Sequence, residues 1–500
     1  MSAPPSPSGD PREVDHAGLW LIGFVLLILG LRLALAGSLH LTEDEAYYRL
    51  WSQAPALGYF DHPPMISWWI WLGRHLAGDT PLGVRLLPCI GAAVASLLVL
   101  DLARLLGASP GGALWASVWY NATLLIAAGG FLAAPDSPAA LFWLACLDGV
   151  ARASAASSGT SASLRWWVVA GVAAGLAALS KYSALFLGPG LLLWLTTRAE
   201  GRRALKSAGP WLALACAAGV FSLNIGWNAT HHWLTFAKQF GRIAPHHFAP
   251  LDLVDFLGVQ FFLLNPLIAL FLVRGLTTHR LVGRDRLSLL AISSAPFAGY
   301  LAIHALHDQV QAHWPAPLYA PLAMIAALAA GLEKPKSGWA TLRKATPIVG
   351  LGAAGAALVL LLAPVQGLGL SFDLAKPLRG WPQFATRIED ARAQVGAGWI
   401  GTTSYGLAAQ LLDQTQIHAP VLQISERDRW NGLAPSGADL AQPGLIVDLA
   451  RRIQPDALRR CFEKVTVLGL ITRGPPSGVS ATYEAVRVAM PRKDIIKSGC

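Results

Sequence analysis

Apolar residues occur in helix-length blocks over roughly the first 364 positions of the chain, and short polar connections separate them. A window of about 20 residues, the length needed to cross a hydrocarbon core, predicts about eleven membrane-spanning helices. They fall at 18–36, 82–100, 111–129, 137–150, 166–180, 183–197, 209–226, 253–273, 287–304, 314–331 and 347–364. Residues 65–78, MISWWIWLGRHLAG, are Trp-rich and amphipathic, and suit a helix lying in the membrane interface. After 370 the pattern changes. WPQFATRIEDARAQV (381–395) has helical spacing, whereas 399–404, 421–425, 444–450, 465–473 and 483–490 are β-branched, strand-length runs. Such a mixture predicts a small α/β domain over 370–500, large enough to hold its own core.

Composition agrees with this pattern. Of 500 residues, 54% are hydrophobic and 14% charged, and mean hydropathy is +0.46; soluble domains carry roughly 25% charged residues. The net charge of +10 suggests a nucleic-acid partner, but the placement of the cations argues against one. Arg104, Arg152, Arg165, Arg198, Arg202, Arg203, Lys206, Arg274, Arg280, Arg284, Arg286, Lys334, Lys336, Arg343 and Lys344 all fall in alternate loops. The positive-inside rule makes that side cytoplasmic. The N-terminus (1–17, Pro/Ser-rich, expected to be disordered) is then cytoplasmic, the first apolar run is an uncleaved helix, and the tail is extracytoplasmic. The expected organisation is therefore a membrane domain over 18–364, with a long external loop at 37–81, followed by an extracytoplasmic α/β domain. Five cysteines are scattered without metal-ligand spacing; they read as small buried residues, with a Cys461–Cys500 disulfide as the alternative.

The polar residues worth chemical attention gather in the external loops. LTEDEAYYRLWSQAPALGYFDHPPM (41–65) puts Glu43, Asp44 and Glu45 just past a helix, then interfacial aromatics Tyr47, Tyr48 and Trp51, then Asp61-His62 before two prolines that stiffen the backbone. A solvated acidic loop is the plain alternative. Asp136, in APDSPAA, opens a helix and reads either as a cap or as an acid facing an external cavity. Lys181, in LSKYS, interrupts a long apolar stretch; it either snorkels to the interface or holds an anionic headgroup. Lys238 and Arg242 are spaced i, i+4 in a loop with His231, His232, His246 and His247, and suit a phosphate. His304, His307, Asp308 and His313 precede a Trp-Pro. A divalent metal held by Asp61 and a histidine is a further candidate. The glycosylation sequons at Asn121 and Asn228 are common by chance, and Asn121 falls inside an apolar span.

DEAYY…GYFDHPPM, an external Asp at a helix start, LSKYS, AHWPAPLY and an α/β tail together resemble GT-C glycosyltransferases. The resemblance is to the bacterial branch similar to protein O-mannosyltransferases and the lipid A aminoarabinose transferase, and it covers nearly the whole chain. It implies a GT-C membrane fold and transfer of a sugar, with inversion, from a polyprenyl-phosphate donor. The implied acceptor is a glycolipid such as lipid A or, less in keeping with the motif, a protein, at the outer face of the cytoplasmic membrane. By position it implies catalytic roles for Asp44, Glu45 and Asp136. It implies substrate or phosphate contacts for Asp61, His62 and Lys181, and metal ligation by His247 with Asp61; Tyr48, Lys238, Arg242 and His313 join the expected substrate or phosphate contacts from their own placement in the external loops. The sequence departs from the pattern at Asp61-His62, where the aminoarabinose transferases have Glu-Lys before Pro-Pro. A transporter or flippase of a lipid-linked sugar is the rival reading, but transporters keep charges near mid-membrane and show internal repeats. Here the acids lie on one side.

Overall fold

The structure is a computed structural model that describes residues 11–241, 248–277, 287–333, 337–362, 376–430, 433, 436–474 and 480–500. Arg242, His246 and His247 lie outside the described residues. The chain forms two compact units: 1–36, 62–69 and 85–358 make the first, and 37–61, 70–84 and 359–500 the second. The loop that the hydropathy pattern attached to the membrane helices is thus divided, with 37–61 and 70–84 grouped with the tail.

In chain order the helices are α1 (Pro11–Ser38), α2 (Glu43–Trp51), α3 (Met65–Ala77), α4 (Pro81–Leu105), α5 (Pro110–Asn121), α6 (Leu124–Gly129), α7 (Asp136–Ala155) and α8 (Ser161–Ala178). A 3-10 turn, Tyr182–Phe186, leads into α9 (Leu187–Thr197). Then follow α10 (Ala199–Ala204), α11 (Gly209–Thr230), α12 (Leu234–Gly241), α13 (Pro250–Leu263), α14 (Pro266–Thr277), α15 (Ser288–His304), α16 (Ala316–Gly331) and α17 (Gly338–Leu362). Helix α1 begins at Pro11, ahead of the start expected at Gly18. Among the described residues, five helices are long and apolar enough to cross a membrane, or six if the bent pair α13–α14 is one span. Of the other expected spans, 183–197, 287–304 and 314–331 are shorter apolar helices, 111–129 is broken into α5 and α6, and 137–150 lies within the 20-residue α7, which carries Asp136, Asp148 and Arg152.

Two of those breaks meet at one residue. Asn265 sits in the left-handed region (φ 79°), which asparagine tolerates better than most side chains. It marks the 106° bend between α13 and α14. Its amide donates to the carbonyls of Ala122 (3.3 Å) and Thr346 (3.0 Å). Ala122 lies where the expected 111–129 span breaks into α5 and α6, so a carbonyl at the break keeps a hydrogen-bond partner.

Small residues set the packing of α7, α8 and α11. A Cβ at Gly171 would stand 2.2 Å from the Ala213 carbonyl oxygen, and one at Gly175 2.6 Å from the Val220 Cβ. Such close backbone approach supplies the van der Waals contact that drives helix association in lipid. Gly171→Val is therefore expected to lower the thermal midpoint of the detergent-solubilised protein, by about 1–3 kcal/mol or more of overpacking. An unchanged midpoint would show that the α8–α11 contact is not formed. The Asn121 sequon is committed to packing: Asn121 is buried, accepts from Arg32 (3.2 Å) and donates to Ser96 Oγ (2.8 Å).

In the second unit, β1 (Trp399–Thr402), β2 (Val421–Gln423), β3 (Gly444–Leu449), β4 (Phe462–Arg473) and β5 (Ala481–Pro491) form one mixed sheet in the order β2-β1-β3-β5-β4. β1 is parallel to β2 and β3, and β5 is antiparallel to β3 and β4. Alternate residues of β3 face opposite layers, as the period of two requires. Leu445 and Val447 pack with Trp381, Phe384 and Ile388 of α18 (Trp381–Gln394). Ile446 packs with Trp399, Phe462 and Leu458, the last from α20 (Pro455–Cys461). Cover on both faces is why GLIVDL is almost continuously apolar. The remaining helices are α19 (Tyr405–Asp413) and the short α21 (Ile495–Ser498), and Cys461 and Cys500 form a disulfide.

Candidate active site

In the first unit the site is built where α8 stops. The chain leaves α8 through Leu179 and Ser180, and Lys181 is extended (φ −158°, ψ 137°) before the 3-10 turn resumes helical winding. The Leu179 carbonyl accepts from the Met65 N–H (3.1 Å), which ties the His62–Met65 segment to the break. Asp136 occupies the first turn of α7, where backbone N–H groups and the helix dipole favour a carboxylate. It is 5% exposed. Lys181 Nζ donates to Asp136 Oδ1 at 2.7 Å, and His313 Nε2 lies 3.6 Å from Asp136 Oδ2. The Lys181 ammonium also stands 5.6 Å from the ring centre of Trp314. The His313–Trp314 segment is fastened by Gln260, which donates to the Ala312 carbonyl (3.1 Å) and accepts from Tyr319 Oη (2.6 Å).

Lys181 opens onto a cavity of about 310 Å³. Its walls are mainly aromatic and aliphatic: Tyr182, Phe186, Phe236, Phe240, Phe297, Tyr300 and Trp314 line it, with His62 and His304 among the few polar groups. Tyr182 stacks on Phe236 at 4.9 Å, and its hydroxyl donates to Asn224 Oδ1 (2.7 Å) and accepts from Asn228 Nδ2 (3.2 Å). Lysine has three donors; Asp136 takes one. The arrangement is an apolar cavity with a charged pair at its edge. Its chemistry suits an amphiphile with an anionic head.

In the second unit α2 opens with a capping box. Thr42 Oγ1 accepts from the Glu45 N–H (3.2 Å), and Glu45 Oε2 accepts from the Thr42 N–H (2.9 Å). The T-x-x-E spacing carries that signal in the sequence. Glu45, expected beside Asp44 in the chemistry, is therefore buried and engaged in holding the helix start. Tyr48, expected against substrate, is buried beside Tyr47 and Trp51. Asp44 is the exposed acid of the group, and its Oδ1 accepts from Tyr405 Oη at 2.8 Å.

Asp61, expected at a phosphate or a metal, is buried and bonded to Arg429, which is also held by Glu426 (2.8 Å). The Arg429 guanidinium lies 4.3 Å from the Tyr405 ring centre. Burial works against the charge on Arg429, but Asp61 and then Glu426 outweigh it and hold the group above its ordinary value. Among the described residues no three His, Cys, Asp or Glu side chains gather as a metal site. Lys238 lies on α12, half-buried. Tyr405 and Arg429 escaped sequence reasoning because they follow the loop acids by 361 and 368 positions.

Glu43 lies against Gly406, whose added Cβ would stand 2.6 Å from Glu43 Oε2. Burial raises its carboxyl above the usual range, more than Arg473 and Arg452 lower it. A raised folded value means that stability is fullest below the unfolded pKa of about 4.3 and is lost as pH rises through the folded value. Glu43→Gln is expected to raise the thermal midpoint at pH 7 and to flatten that loss. A lower midpoint at pH 7 would contradict the burial argument.

The fold and the site define a class: this is a multi-pass membrane chain with the GT-C fold. Residues 61–227 match the family described as dolichyl-phosphate-mannose-protein mannosyltransferase. The chain is 29% identical over 306 residues to lipid A galacturonosyltransferase RgtD of Rhizobium johnstonii, covering 59% of this chain and 61% of that protein. It is 33% identical over 165 residues to the undecaprenyl phosphate-alpha-4-amino-4-deoxy-L-arabinose arabinosyl transferase of Pseudomonas aeruginosa, covering 30% of this chain and 28% of that protein. The chain thus spans less than two thirds of the length of these relatives. Among solved structures, ArnT from Cupriavidus metallidurans superposes with a TM-score of 0.64 at 16% identity, over 94% of this chain and 98% of that one. A second structure of that protein, bound to undecaprenyl phosphate, gives the same values.

Proposed function

We propose that this protein is a membrane glycosyltransferase that moves a sugar from a polyprenyl-phosphate donor to a glycolipid acceptor of the lipid A type. The observation that carries the reading is the Lys181–Asp136 pair at the edge of a cavity with aromatic and aliphatic walls. A polyprenyl chain matches the walls and its phosphate matches the ammonium. The names of the relatives supply the donor and acceptor classes: one acts on lipid A, another uses an undecaprenyl phosphate sugar. ArnT, which shares the fold, binds undecaprenyl phosphate.

The transfer is a single displacement with inversion. The acceptor oxygen attacks the anomeric carbon, the bond from that carbon to the phosphate oxygen breaks, and its electron pair stays on the phosphate. Lys181 stabilises the charge that grows there; a donor aimed at developing charge is the strongest tool such a site has. A hydroxyl acceptor also gives up a proton. Asp44, exposed and held through one oxygen by Tyr405, is the proposed base. Asp136 orients the Lys181 ammonium, with His313 near its second oxygen.

We place the protein in the cytoplasmic membrane with about eleven crossings, the N-terminus inside and the 370–500 domain outside. Three observations support this. Each expected span coincides with an apolar helix or a pair of them, the cations fall in alternate loops, and a disulfide suits an oxidising compartment.

The test is turnover by purified protein in nanodiscs, given a panel of polyprenyl-phosphate sugars and glycolipid acceptors and read by mass spectrometry. One acceptor should gain the mass of one sugar, and Asp44→Asn should lose at least about 100-fold of that activity. Vectorial movement of the donor lipid without any transfer would replace this reading with that of a flippase.

A further inference from the structure

A second cavity, of about 280 Å³, lies at the other end of the α7–α8 hairpin. Ser154, near the end of α7, lines it, and Asp136 begins that helix. At 1.5 Å per residue the two are about 27 Å apart along the axis, close to the thickness of a hydrocarbon core. This cavity is therefore not part of the Lys181 site.

Its chemistry is distinct. Glu200 and Arg203 of α10 both line it. Among the described residues neither side chain has a hydrogen bond or ion pair, although they are spaced to meet each other. The hydroxyl oxygen of Ser154 is buried and has no hydrogen-bond partner, a condition that costs free energy unless a ligand or water relieves it. Trp167 forms one wall, and Ser158 adds a further hydroxyl. Beside α10, Trp211 bonds the Leu205 carbonyl (3.2 Å) and leaves its indole 59% exposed at the start of α11, as a residue at a lipid boundary does.

We propose that this cavity binds the phosphoethanolamine headgroup of a membrane phospholipid. Arg203 and the Ser154 hydroxyl take the phosphate, and Glu200 takes the primary ammonium. An unpaired anion and cation lining one small cavity match a zwitterion better than either ion alone. The exposed indole beside it favours a lipid over a soluble phosphoamine. The site is separate from sugar transfer and stands whether or not the proposed function holds.

The test is native mass spectrometry of the intact protein released from micelles containing equal amounts of phosphatidylethanolamine, phosphatidylcholine and phosphatidylglycerol. Wild type should retain phosphatidylethanolamine about tenfold over the other two, the value of one charge-assisted hydrogen bond. Glu200→Gln should erase that preference while phosphatidylglycerol is still retained. Arg203→Gln should lower retention of all three. Both substituted residues lie outside the packed core, so the variants report binding rather than folding. Equal phosphatidylethanolamine retention by wild type and both variants overturns the site. Displacement of the lipid by millimolar O-phosphoethanolamine overturns its assignment to a lipid.

Discussion

Lys181→Ala is expected to lower kcat/KM for sugar transfer by about 10²–10³-fold, the range seen when one preorganised donor to a developing anion is removed. The ammonium lies at the edge of the aromatic cavity and one donor is fixed by Asp136 at 2.7 Å, so its position costs no reorganisation when charge builds on the phosphate. The effect should fall mainly on kcat, because the polyprenyl chain still finds its apolar walls. Lys181→Arg keeps the charge but alters its reach, and should recover part of the rate. Removing the lysine also leaves the buried Asp136 carboxylate beside His313 alone, 3.6 Å away. The thermal midpoint must therefore be measured alongside. A lost rate with an unchanged midpoint identifies a chemical role, and an unchanged rate removes Lys181 from the mechanism.

Asp61→Ala is expected to destabilise the second unit by about 3–5 kcal/mol, the range for breaking a buried ion pair by removing one partner. The Arg429 side chain is only 5% exposed and would keep its charge among Tyr405, Phe60 and Tyr47 with Glu426 as its remaining acid. The double variant Asp61→Leu/Arg429→Met should recover most of the loss, since no charge is then stranded. Additive losses in the double variant would show that the two side chains do not interact.

The elements of the fold were legible where periodicity is strong. All five strand-like runs are strands, and 381–395 is a helix of nearly the expected length, because apolar residues there recur at a spacing only one element can bury. The capping box was equally legible in Thr42–Glu45, yet the acidic cluster drew attention to Glu45 as chemistry when its first duty is local. The breaks in the apolar spans were not legible. Hydropathy is blind to a carbonyl that pairs with Asn265 instead of the next turn of helix. The pairing of Asp136 with Lys181 crosses 45 positions and that of Asp61 with Arg429 crosses 368, and no local pattern specifies either. Lys181 interrupts an apolar stretch where a charge needs a partner, so sequence flags the need without naming Asp136; Arg429 sits in a polar segment that gives no such signal.

The most direct test of the lipid-phosphate site is photoaffinity labelling with a polyprenyl phosphate carrying a diazirine in its first isoprene units. The cavity predicts labelled peptides from 182–189, 236–240 and 297–304, protected by excess unlabelled polyprenyl phosphate and lost together with phosphate affinity in Lys181→Ala. Labelling confined to the outward faces of α1 and α11, indifferent to Lys181, would contradict the account.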